Sequence, residues 1–382
     1  MHDVVVAGGG IGGLAVAVGL AARGVDVAVL ERAPAWRPLG AGITLQPNAS
    51  AVLAALGVAL PDDGVHPMAR VQMVAPDGRL LIDGEPGEPD LPPAWNVHRA
   101  DLHDALLAAC GGVPVRLGAP VAAPHPDGVR LEDGEVVAAR LVIGADGLHS
   151  RLRGGTTDPS RCAPRYSGQT CWRFAAPASG PVDVTVERWG LGRRIGVVPL
   201  SRGRVYSFLV EDAPPGTPGP GTATMRGLRE RFLGMHPGLD PHLEGAPDDT
   251  PVHHGDLVDL PHIAWGAGRV VLLGDAAHAM TPNMGQGAAM AIEDAAAVVL
   301  AVAQHGPDPA AVRAQVAATR TSRVRAVHDQ SWRIGQIAHW RNPLARWLRD
   351  LALRATPESV TREQMRAVWA PGIALAEALR AA

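Results

Sequence analysis

The sequence predicts an α/β fold: a Rossmann-like parallel sheet with helices, interrupted by an inserted antiparallel β-sheet and followed by C-terminal helices. Three observations carry that expectation. An apolar strand runs into a glycine-rich turn and a helix at the start of the chain. Two further apolar runs, 141–143 and 270–273, each end in a turn that joins glycine to aspartate. Between them lie strand-like segments separated by Gly, Pro and Ser clusters. The expected division is a discontinuous first domain over 1–70, 97–160 and 266–305, an inserted sheet over 71–96 and 161–265, and a helical region over 306–382.

With 382 residues, 47% of them apolar, the chain can bury a substantial core without disulfides. The net charge is -3, and every one of the 35 basic residues is arginine. That balance sets up no field for nucleic acid or an anionic membrane. Cys110, Cys162 and Cys171 stand at no metal or dithiol spacing and read as free thiols in a reducing compartment. Met1-His2-Asp3 leads straight into Val4-Val5-Val6, and the longest apolar stretches fall short of ~20 residues. The expectation is a cytoplasmic protein without signal peptide or membrane span.

Val4 to Ala7 is a continuous apolar run, as a fully buried parallel strand requires. Gly8-Gly9-Gly10-Ile11-Gly12-Gly13 follows and carries the G-x-G-x-x-G spacing at Gly8, Gly10 and Gly13. Gly8 permits the tight turn, Gly10 lets backbone approach a pyrophosphate, and Gly13 lets helix and strand pack closely. Leu14 to Arg23 reads as the helix, ended by Gly24, with its N-terminal amides facing the phosphates. A second strand, Val25 to Leu30, ends in Glu31, 18 residues after Gly13 and placed to accept hydrogen bonds from ribose hydroxyls. This unit binds an adenine dinucleotide, and alone it does not separate FAD from NAD.

Further on, Leu141-Val142-Ile143 leads into Gly144-Ala145-Asp146-Gly147-Leu148-His149-Ser150-Arg151-Leu152-Arg153. Val270–Leu273 leads into Gly274-Asp275-Ala276-Ala277-His278, and Thr281-Pro282-Asn283-Met284-Gly285-Gln286-Gly287-Ala288 opens an Ala-rich helix to about Gln304. These separated motifs, in this order, resemble the class A flavin-dependent monooxygenases, the family of para-hydroxybenzoate, salicylate and urate hydroxylases. The resemblance runs from residue 3 to about 350. It implies a GR2-type Rossmann-like FAD-binding domain, FAD as cofactor and NADH or NADPH as co-substrate. It puts Gly12, Glu31, Arg32 and Arg99 along adenosine and phosphates, Val121 by adenine, and Thr44, in the segment Gly40–Thr44, along the flavin. Asp146 is implied for FAD and the pyridine nucleotide, and Asp275 for the ribityl chain. Pro282, Gly285, Gln286, Gly287 and Ala288 are implied at the ring, where helix amides stabilise the anionic edge of the reduced flavin.

On the substrate side, Tyr166–Phe174, Val182–Trp189, Arg194–Leu200 and Arg204–Glu211 read as successive strands, joined by a pair near Val71–Val74 and Arg79–Ile82. Residues 213–222 read as a coreless loop. By the resemblance, substrate rests between this sheet and the flavin, faced by Arg194 and Tyr206; a solvated strand arginine and a packed tyrosine are the plain alternatives. Trp172 and Arg173 point to opposite faces of one strand, and one of them faces the pocket. His253-His254 beside Asp256 invites a metal, but adjacent strand residues diverge, so structural histidines and no metal are expected. His278 falls near the flavin. Trp332, Trp340 and Trp347 are expected to pack over the cofactor domain, with a dimer face or pocket lid as alternatives and Asn342-Pro343 breaking the helix.

The implied function is a monooxygenase: NAD(P)H reduces FAD, O2 adds, and a flavin hydroperoxide transfers one oxygen atom to a small aromatic or heteroaromatic substrate. Arg194 can hold an anionic substrate, and no residue stands out as a base. Epoxidation of an alkene is the runner-up, because Tyr166-Ser167-Gly168-Gln169-Thr170-Cys171-Trp172-Arg173 also resembles zeaxanthin epoxidase-like sequences. A flavin dehydrogenase or reductase stays open. The lack of lysine argues against a flavin halogenase, and the lack of a cysteine pair against a disulfide reductase. A non-enzymatic nucleotide-binding module would oxidise no NAD(P)H. A monomer or homodimer is expected.

Overall fold

Val4 to Ala7 are fully buried because the strand His2–Ala7 lies inside the first sheet. Across that sheet of the computed structural model the order is 115–116, 27–30, 2–7, 136–144, 128–131, 121–125. The structure describes residues 1–36, 41–85, 89–217, 223–235 and 239–382; Gly40 and the later part of the loop expected at 213–222 lie outside them. Strand Val136–Gly144 changes partners along its length. Its first half pairs antiparallel with Gly128–Leu131, its second half in parallel with His2–Ala7 and Val270–Leu272. The glycine-rich, Asp-Gly and Gly-Asp turns therefore emerge side by side at the carboxyl ends of three adjacent parallel strands, where α/β sheets bind ligands.

Helices Ile11–Ala21 and Gly287–His305 pack over this sheet with Val4, Leu14, Leu141, Ile292 and Val298 in one core. Gly287–His305 is 19 residues and apolar enough to cross a membrane by length and composition, contrary to the sequence expectation. It is instead a core helix: Glu293 and Asp294 at its middle are buried and paired with Arg320 of helix Pro309–Ala338.

The second sheet runs 253–259, 165–177, 204–212, 193–200, 185–189, 71–74, 80–84. All its pairs are antiparallel except 185–189 with 71–74. One face buries Trp172, Phe174, Ile195, Val197 and Leu209 against helices Met225–Phe232 and Asp240–Gly245. The other faces the first domain. A small third sheet pairs Trp95–His98 with Gly42–Leu45 and Val65–Pro67, so the boundary expected at 96/97 divides a strand.

The C-terminal region is three helices, Pro309–Ala338, Pro343–Ala355 and Glu358–Ala381. Asn342 caps the second by accepting from the Leu344 and Ala345 amides (3.0 and 3.1 Å), and Pro343 occupies its first turn, which explains the break. This helix turns Arg349 and Asp350 inward and leaves Leu344, Trp347, Leu348 and Leu351 exposed. The tryptophan expectation is thereby corrected: Trp340 and Trp347 are 40% and 56% exposed, and only Trp332 is packed, with Arg165 3.6 Å above its ring.

Candidate active site

The phosphate turn sorts its glycines by role. Gly8 has φ +114°, and a side chain there would meet the Ala145 carbonyl at 2.3 Å; one on Gly13 would meet the Gly8 carbonyl at 2.0 Å. At Gly12 a side chain would strike Leu273 and Ala291 (2.7 and 3.1 Å), so its bareness serves packing and its amide alone is left for a ligand. Gly10, the N-cap, meets nothing within 4 Å. Open space thus precedes the Ile11, Gly12 and Gly13 amides, which come before the first helical bond from Leu14 N–H to the Gly10 carbonyl (2.9 Å).

Glu31 accepts from the Gly9 and Ala33 amides (2.7 and 2.8 Å) and keeps lone pairs for ribose hydroxyls. Trp36 lies against Gly9 and edge-on to His103, whose Nε2 is 2.9 Å from the Gly9 carbonyl. Neither aromatic carried a motif signal in the sequence. Arg32 and Arg99 are exposed, and their guanidinium groups have no hydrogen-bond or ion-pair partner among the described residues. Arg99 opens helix Arg99–Cys110, with its amide bonded to the Ala41 carbonyl (3.0 Å). Val121 begins the edge strand Val121–His125.

Asp146 accepts from the Arg151 and Leu152 amides (2.8 and 3.3 Å) through Oδ2, while its Oδ1 is buried without a partner. Arg153 donates to the Ala276 and Leu148 carbonyls (3.0 and 2.6 Å), tying the Asp-Gly turn to the Gly-Asp turn. Desolvation pushes the Asp275 carboxyl up, against the pull of His278 and Arg99. His278 points away into the core, 2.6 Å from Asp294, which also accepts from the Gly274 amide and Arg320 (3.0 and 2.7 Å). Burial opposes the Asp294 charge, but His278 and Arg320 hold its carboxyl well below the usual range.

At the flavin turn, Gln286 is buried. Its amide donates to Gln46 (2.5 Å) and accepts from Asn48 (2.9 Å), so only its main chain is available to a ring. Pro282 begins a short 3-10 turn ended by Gly285 (φ +63°), and Gly287 and Ala288 start the helix. Thr44 donates to Asn96 Oδ1 (3.0 Å) on the strand beside it.

Cross-strand register assigns the pocket face of the second sheet. Arg173 opposes Phe208, Ala175 opposes Tyr206, Phe208 opposes Gly196, and Val210 opposes Arg194, so these side chains share one face. Tyr206 packs on Gly42, where a Cβ would sit 2.6 Å from its ring, and that contact turns the face toward the first domain. Arg173, not Trp172, is therefore on the pocket side. Arg194, expected to face substrate, is 3% exposed and bonded within the protein. It donates to His339 Nε2 (2.8 Å), Glu187 Oε1 (3.1 Å) and Asn283 Oδ1 (2.7 Å), the last within the flavin turn. Desolvation holds the Tyr206 phenol well above its ordinary pKa, with neighbouring Arg173 opposing. His254 turns to Thr170 (2.5 Å) and Trp172, on the helix-covered side.

FAD fits these residues. The space over Gly10, the free helix amides and unpaired Arg32 and Arg99 suit a pyrophosphate, while Glu31, the orphaned Asp146 oxygen and Asp275 suit hydroxyl donors. Residues 1–157 and 261–331 match the FAD binding domain family, and the chain belongs to it. It is a class A FAD-dependent monooxygenase, with NAD(P)H as co-substrate typical of the family. It is 39% identical to aurachin C monooxygenase/isomerase of Stigmatella aurantiaca, over 92% of this chain and 93% of that one. Identity to 2-heptyl-3-hydroxy-4(1H)-quinolone synthase of Pseudomonas aeruginosa is 33%, over 94% and 95%. Klebsiella pneumoniae HpxO complexed with FAD and uric acid superimposes with a TM-score of 0.85 at 28% identity, over 97% of each chain.

Proposed function

We propose that this enzyme takes electrons from NADH or NADPH and inserts one atom of O2 into a fused heteroaromatic substrate. The substrate lies between the Arg173–Tyr206–Phe208 face and the turn at 282–288. The carrying observation is the Arg194–Asn283 bond (2.7 Å), which joins the sheet to the cofactor turn and makes one site of two domains. Quinolone and uric acid in the names of the similar proteins support the substrate class. Bound FAD supplies oxygen activation and transfer. Around it, Asp275 and the turn amides hold the cofactor, Tyr206 and Phe208 offer aromatic walls to a planar ring, and Arg194 fixes the turn against the sheet. The sheet keeps water from the reacting atoms. Free thiols at Cys110, Cys162 and Cys171 suit a reducing cytoplasm.

The test is turnover under 18O2 with quinolones and oxopurines as substrates. A product two mass units heavier than its 16O2 counterpart is expected. Oxidised product without label would make the enzyme a dehydrogenase.

A further inference from the structure

We propose that Arg173 is the anion-recognition residue of the substrate pocket, and that the substrate presents it with an anionic oxygen, either a carboxylate or a ring oxyanion. The proposal rests on the monooxygenase reading above and narrows its substrate class.

Five cross-strand partners form one row across the sheet: His253, Arg173, Phe208, Gly196 and Glu187. Glu187 is the only carboxylate in the row, and it stands at the far end. It is taken by Arg194 (3.1 Å) and by the Trp189 indole (3.0 Å). The Phe208 ring lies over Gly196, where a Cβ would be 2.1 Å from it. Arg173 makes no ion pair with any carboxylate among the described residues. The groups that act on its charge are the Cys171 thiol and the Tyr206 phenol, the latter also as a hydrogen-bond partner. Burial pushes both of those pKa values up, so neither supplies a counter-charge. Arginine cannot shed its proton. A half-buried cation without an opposite charge is costly until a ligand brings one. A flat ring seated against Tyr206 and Phe208 would bring its oxyanion to that guanidinium, where charge-assisted hydrogen bonds form. The two arginines of this face thus divide the work: Arg194 is spent on the protein, and Arg173 is kept for the ligand.

The test uses the FAD-loaded enzyme and Arg173→Met, with Arg173→Gln as the second variant should the first lose its flavin. Without ligand, the variant is expected to melt at the wild-type temperature or slightly above it, because a half-buried charge without a counter-charge is gone. A group whose role is structural would lower the melting temperature by several degrees on removal, and that result overturns the proposal. The binding probes are 6-hydroxynicotinate against 6-hydroxynicotinamide for a carboxylate, and urate against hypoxanthine for a ring oxyanion. Binding is read by perturbation of the flavin absorption and by thermal shift. Acid or urate is expected to bind wild type and to lose about ten- to hundredfold in affinity in the variant, in line with a charged hydrogen bond. Neutral partners that bind wild type as tightly as the anions overturn the idea. If none of the four binds, the melting comparison decides alone. Failure of the monooxygenase reading shows separately, as wild-type product without labelled oxygen.

Discussion

The dinucleotide-binding sheet and the inserted antiparallel sheet face each other across one site but are built under different constraints. In the first, the working groups belong to the main chain: helix amides after Gly10 and the turns after three parallel strands. Gly8 and Gly13 are forced by neighbours within the backbone itself, at 2.3 and 2.0 Å. In the second, the working groups are side chains that alternate between faces. Whether one of them is free depends on partners distant in sequence. Arg194 is claimed by Glu187, Asn283 and His339, while Arg173, on the same face, has no carboxylate partner among the described residues. A backbone that leaves no room for a Cβ, as at Gly8 and Gly13, writes itself into residue type; side-chain commitments do not.

The comparison breaks if the forced glycines tolerate side chains. Gly13→Val is expected to cost more than about 4 kcal/mol and to give protein without bound flavin, checked by the yield and visible spectrum of the purified protein. Gly10→Ala should leave the apoprotein within ~0.5 kcal/mol of wild type, since nothing lies within 4 Å, yet weaken FAD binding, read by flavin fluorescence on release. Next in size is Arg320→Leu. It removes the cation that Glu293 and Asp294 share, leaving these buried carboxylates only Arg323 and His278, and urea unfolding should show a loss of about 3–5 kcal/mol.

The same contrast explains how much was legible. Strand, turn, helix and terminal acid in the first sixty residues, and the Asp-Gly and Gly-Asp turns, could be placed because glycine at those spacings has few other uses. The antiparallel strands were visible as segments set apart by Gly, Pro and Ser clusters, so Tyr206 and the Trp172/Arg173 pair could be put on a strand, though not on a face. The face follows from the Tyr206–Gly42 contact, which joins residues 164 positions apart in the chain. His339 gave no signal at all, because its partners Asp212 and Arg194 come from another domain. Nor did Trp36 and His103. Trp347 is exposed because helix Pro343–Ala355 turns its charged side inward around the Arg349–Asp350 pair, and Trp340 lies in the break before that helix.

His339 sharpens the contrast through pH. Burial, with Arg194 assisting and Asp212 opposing, lowers its pKa from 6.5 in the folded protein. The neutral ring accepts from Arg194, and its stabilisation is present above pH 6.5. That contribution is lost as pH falls through the lower folded value. Thermal stability should therefore decline below about pH 6.5 with a slope of at most ~1.4 kcal/mol per pH unit from this group. His339→Gln should remove that component of the slope, measured by melting curves from pH 5 to 8.

The smallest effect is expected at Tyr206, and it separates packing from recognition on the pocket face. Its ring fills the space over Gly42, while its phenol lies beside the Arg173 guanidinium. Tyr206→Phe keeps the ring, so stability should stay within ~0.5 kcal/mol of wild type. Desolvation keeps the phenol protonated far above neutrality, so the substitution should leave the pH profile of turnover unchanged between pH 6 and 9. Substrate affinity should fall by far less than in Arg173→Met. If Tyr206→Phe instead costs more than tenfold in affinity while Arg173→Met costs little, recognition belongs to the phenol hydrogen bond. Arg173 would then serve to orient that phenol, and the order of the two residues on this face would be reversed.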